Sequence, residues 1–60
     1  MEAQLKQSLK RSLEGLFEAK YGLLDAKLFA EGEIYDTLVK TINFVSECIE
    51  IIEELFRIKD

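Results

Sequence analysis

Hydrophobic positions recur along this chain at alternating steps of three and four. From Tyr35 onward one series runs Tyr35, Leu38, Ile42, Val45, Ile49, Ile52 and Phe56; a second runs Thr37, Thr41, Phe44, Cys48, Ile51, Leu55 and Ile58. An average step of ~3.5 residues keeps a stripe on one side of an α-helix over several turns. At ~100° per residue the two stripes are neighbours and together cover about half of the helix circumference. A helix with one partner needs only a narrow stripe, so this helix is predicted to touch two or more.

The first half carries the same period in a different residue class. Ser8, Ser12, Gly15, Ala19, Gly22 and Ala26 form a seam of small residues, which predicts unusually close approach of another backbone. Leu5, Leu9, Leu13, Phe17, Tyr21, Leu24 and Leu28 make a broad apolar flank beside it, with Leu16 and Leu23 between the two. Gln7, Arg11, Glu14, Glu18 and Asp25 form a solvent wedge. Lys20 and Lys27 interrupt the flank, where their stems can lie over apolar surface with the ammonium groups in water.

Proline is absent, strong helix formers dominate residues 2–31, and no stretch alternates with period 2 for long enough to make a strand. Gly32 is the best break, because glycine takes the left-handed conformation that ends a helix and a short loop there gives an antiparallel hairpin. The expected order is helix 1 over about residues 2–30, a turn at about 31–32 and helix 2 over about 33–58, in a single domain spanning 1–60. A break at Gly22 would make three helices, but the small-residue spacing passes through it without a phase change and predicts two. Ion pairs four residues apart, such as Glu53–Arg57, are consistent with helix and decide little.

With 60 residues, one cysteine and no histidine, the chain has no intrachain disulfide and no zinc site of the usual ligands. A chain this short is marginal alone, which leaves oligomerisation as its source of stability. A lone hairpin would leave Phe44, Cys48, Ile51, Leu55 and Ile58 wet. That forgoes roughly 7–15 kcal/mol, at about 1.5–3 kcal/mol per large apolar side chain, which matches the whole stability of a typical domain. The expected fold is therefore all-α: an antiparallel hairpin that self-associates into a four-helix bundle, a two-fold dimer being the commonest solution. Its oligomer interface is expected to comprise those five residues together with the small seam of helix 1. The seam would meet either bulky helix 2 residues of its own chain or the same seam of a second chain. Alternation of Gly15 and Gly22 with Ala19 and Ala26 favours helix 1 of the second chain.

The net charge is −4, and it is uneven: five Lys/Arg against four Asp/Glu in residues 1–30, three against eight in residues 31–60. That balance disfavours nucleic acid and anionic membrane for the second half. Glu47, Glu50, Glu53 and Glu54 lie opposite the apolar stripes and read as a solvated acidic face; carboxylate di-metal bundles also need histidine, so no metal or other cofactor is expected. Cys48 reads as a small hydrophobe, since a nucleophile would need an activating base. Ser8 and Ser12 likewise have no visible base, and no enzyme activity is expected. Lys6, Lys10 and Arg11 are the candidate nucleic-acid contacts. In size, hairpin plan and small core residues the chain resembles helical-hairpin dimers that bind RNA through their first helices, a likeness of architecture rather than of motif. No positive-then-apolar secretory signal opens the sequence and no apolar run reaches the ~20 residues of a membrane span, so a cytoplasmic setting without membrane contact is expected. The leading expectation is a non-enzymatic oligomeric interaction module, a small regulator, adaptor or assembly subunit. The alternatives are a dimeric RNA- or DNA-binding regulator, or a subunit whose apolar seams a different protein completes.

Overall fold

The computed structural model describes residues 1–59; Asp60, the last residue of the expected domain, lies outside them. Two helices, α1 (Ala3–Lys27) and α2 (Gly32–Lys59), pack along their length as an antiparallel hairpin, with no strand among the described residues. Glu2 caps α1 rather than beginning it. Its carboxylate accepts from the Gln4 N–H at 2.7 Å and the Leu5 N–H at 3.2 Å, satisfying two of the four donors a helix start leaves unpaired. From there α1 runs unbroken through Gly15 and Gly22.

Helix α1 ends three residues earlier than its composition suggests. Leu28, Phe29 and Ala30 donate to Asp25, Ala26 and Lys27, each three residues back, at 3.1, 3.0 and 3.3 Å. This tightens the last turn and ends the four-residue ladder. Gly32 then takes φ = 61°, left-handed backbone that only glycine adopts readily, and the chain reverses into α2. Arg57 pairs with Glu54, three residues back, instead of Glu53. At this exposed position the pair contributes little.

The inter-helix seam follows one series on each helix. On α2 it is the first series above: Ile42 and Ile49 are buried at 9% and 5% exposure, while Leu38, Val45, Ile52 and Phe56 are half-buried. On α1 it is Leu9, Leu13, Leu16, Leu23 and Ala30, interrupted by Lys6, Lys20 and Lys27, all of them half-buried. Leu16 and Leu23 thus belong to the centre of the seam, whereas Leu5, Tyr21 and Leu28 of the expected flank are exposed. The lysines behave as amphipathic stems, with the Lys27 ammonium 5.9 Å from the Tyr35 ring centre near the turn.

The hairpin is a thin rod of 44 × 16 × 11 Å with a radius of gyration of 14.0 Å, against about 10 Å for a compact chain of this length. Among the described residues no side chain is fully buried. The chain exposes 4746 Å², whereas a folded monomer of 6.9 kDa exposes about 4000 Å², so roughly 750 Å² is in excess.

Candidate interaction face

Most of the exposed large apolar side chains share one side of the hairpin. Each residue immediately before a seam position is rotated ~100° from it, about perpendicular to the plane of the hairpin. On α1 these residues are Leu5, Ser8, Ser12, Gly15, Ala19, Gly22 and Ala26, followed by Phe29 in the turn. On α2 they are Ile34, Thr37, Thr41, Phe44, Cys48, Ile51, Leu55 and Ile58. Two antiparallel helices are related by a pseudo-two-fold axis normal to their common plane. Stripes offset in the same sense on each helix therefore emerge on the same side. The small seam of α1 and the second apolar stripe of α2 are two halves of one face.

That face carries no charged residue in sixteen positions, although a third of the chain is charged. Fifteen of the sixteen are exposed, Cys48 alone being half-buried. The opposite side, formed by residues that follow seam positions, includes Lys10, Glu14, Asp36, Glu50, Glu53 and Arg57. There Phe17, Leu24, Val39 and Ser46 lean into the hairpin and are half-buried, with the Phe17 and Tyr21 rings stacked at 6.3 Å. The two sides thus differ in kind: one is polar and partly closed by its own side chains, the other is uncharged and open.

Relief and polarity of the open face are both set by residue type. Over α1 it is a trough, because Ser8, Ser12, Gly15, Ala19, Gly22 and Ala26 are all small, and the space above Gly15 and Gly22 is open, with nothing within 4 Å of an added Cβ. This overturns one of the two expected partners of the seam, the chain's own helix 2, which packs elsewhere. Over α2 it is a ridge, on which Phe44 is 66% and Ile51 63% exposed. Three of its four hydroxyls donate back to the carbonyl one turn earlier: Ser12 to Ser8 at 3.1 Å, Thr37 to Glu33 at 2.9 Å and Thr41 to Thr37 at 2.8 Å. A hydroxyl already bonded within its own helix can be buried without leaving an unsatisfied donor. Ser12 correspondingly donates to its own helix.

The remaining sequence candidates lie elsewhere. Lys6 is half-buried on the side of α1 that faces α2, which separates it from the exposed Lys10 and Arg11; Arg11 lines a shallow depression with Gln4, Gln7 and Ser8. Glu50, Glu53 and Glu54 border another depression with Arg57, and Glu47 is exposed nearby along the same helix. Among the described residues no group of three or more acidic, cysteine or histidine side chains is arranged to hold a metal ion, and no helix is long and apolar enough to cross a membrane. Leu5, Phe29 and Ile34 were not assigned to the interface by sequence reasoning. The signal for them is the same three-and-four spacing, carried past the small residues at both ends and one step before Thr37.

Comparison of the chain with protein-family models, with curated proteins and with solved structures finds no match.

Proposed function

We propose that this chain is a non-enzymatic, self-associating helical module, one hairpin of a four-helix bundle, working as a small regulator, adaptor or assembly subunit. The observation that carries the reading is the uncharged face of sixteen positions. An exposed apolar patch on this scale marks a protein interface. Its charge-free composition and back-bonded hydroxyls suit a dry contact between helices rather than a phosphate backbone, which calls for Lys and Arg. The excess of roughly 750 Å² is also close to the ~800 Å² that each partner contributes to an interface of standard size.

Sedimentation equilibrium over a range of concentrations, with reductant present, tests the reading. A mass of two chains or more supports it. A folded single chain at every concentration overturns it. An unfolded or aggregating chain also overturns self-association and assigns the face to a different protein.

A further inference from the structure

We infer that the face is covered by a second copy of this chain in a crossed arrangement, with the α2 ridge of each copy seated in the α1 trough of the other. The inference rests on the self-association reading and adds which helix meets which. Two flat hairpins packed face to face about a two-fold axis have two choices. An axis in the interface perpendicular to the helices sets α1 on α1 and α2 on α2, and puts the two turns at opposite ends. An axis parallel to the helices sets α2 on the partner's α1, all neighbours antiparallel, and puts both turns at the same end.

The relief of the face favours the second. In the first choice ridge stands against ridge, and Phe44 and Ile51 hold the layers apart. The glycines and alanines of the two α1 helices then face one another across a gap that no side chain fills. Interiors pack without such voids, so this choice closes both contacts only by splaying the two layers into a wedge, narrow over α1 and wide over α2. In the second choice both contacts are bulky on small and identical by symmetry, so a single interlayer spacing satisfies both. The small seam then meets the partner's α2 instead of the same seam of the second chain, the pairing that its own spacing favours.

The parallel axis also sets the register, because it leaves height along the bundle unchanged. Within one chain Lys27 is level with Tyr35, and Leu9 with Leu55, which share an apolar depression at the open end. Cys48 is then level with Gly15, and Gly15 of the partner chain lies beneath it. The residue that fills the trough beside Gly15 is accordingly Cys48 of the other copy, with Phe44 one turn further along beside Ala19.

Spin labels on Glu31→Cys in a Cys48→Ser background, read by pulsed electron resonance beside a sedimentation mass for the same sample, test the arrangement. Glu31 is exposed in the turn. The crossed dimer predicts two chains with turn-to-turn separation on the order of 10 Å, one interlayer spacing, plus the label arms. Two chains with turns separated by close to the 44 Å length of the rod would overturn the crossed arrangement and leave self-association standing. A single-chain mass for the unlabelled wild type would overturn both. Gln4→Cys at the exposed opposite end is the second labelling site. There too a short distance supports the crossed dimer and a rod-length distance defeats it, should the turn variant fold poorly.

Discussion

Replacing Gly15 and Gly22 together by leucine separates an open stripe from a filled one by the sign of the effect. In the hairpin alone, a Cβ at either position meets nothing within 4 Å, and α1 is regular through both. The variant there sheds the glycine penalty of about 0.5–1 kcal/mol at each site, roughly 1–2 kcal/mol for the pair. At about 4–8 °C per kcal/mol for a domain of this size, the isolated hairpin would melt roughly 4–16 °C higher. In the crossed dimer the same leucines enter a trough already filled by the partner's α2, and symmetry inserts four of them. Overpacking at about 1–3 kcal/mol each amounts to roughly 4–12 kcal/mol per dimer. At about 1.4 kcal/mol per tenfold, even the lower figure weakens association on the order of a thousandfold. Sedimentation equilibrium and circular-dichroism melts of wild type and variant, at matched concentrations, give the answer. The expected result is a helical single chain for the variant where the wild type is two chains. A variant that keeps the wild-type mass and melts higher would refute the reasoning, because the trough would then be open in the assembly.

Other substitutions probe separate parts of the structure. Phe44→Glu places a charge in the middle of the ridge and should reduce the sedimentation mass to one chain, since an unpaired charge in an apolar contact is strongly disfavoured. Ile49→Ala removes the most buried residue of the hairpin seam and should destabilise by about 2–5 kcal/mol in denaturant unfolding. Glu47→Lys with Glu50→Lys alters only exposed positions off the open face and should leave both mass and helix content unchanged; a mass change would place the interface on the acidic side. Lys10→Ala with Arg11→Ala should leave retention on a polyanion column as it is in wild type, whereas a salt-dependent loss would favour the nucleic-acid alternative.

The hairpin was legible because two kinds of evidence agree in the chain. The series from Tyr35 to Phe56 keeps one period for its whole length, and Gly32 stands where the left-handed turn occurs. The end of α1 was not legible. Leu28, Phe29 and Ala30 have no aversion to helix, and only the tightening of the preceding turn stops them. The Glu2 cap was equally hidden, since glutamate is not among the residues preferred at that position. The candidate face was half legible. Each stripe shows in its own helix, but that both emerge on one side follows from the antiparallel pairing, which one-dimensional periodicity does not contain. Pairing the small seam with a second small seam, as the spacing of α1 alone suggests, leaves the ridge beside it out of account.

The distribution of lysine argues that folding and assembly are linked. The seam that holds the hairpin together carries Lys6, Lys20 and Lys27 among its α1 positions and, among the described residues, buries only Ile42 and Ile49. The open face, by contrast, carries no charge. The better apolar surface is thus directed away from the chain's own interior, and the hairpin seam alone is a weak core for sixty residues. When the folded subunit is stabilised mainly by a second copy, mass action makes apparent stability depend on protein concentration. The melting temperature should rise with concentration in wild type and lose that dependence in Phe44→Glu, which leaves the hairpin seam untouched. Melting curves that superimpose from dilute to concentrated wild-type samples would mean that the lysine-bearing seam suffices, and that the uncharged face has no part in holding the fold.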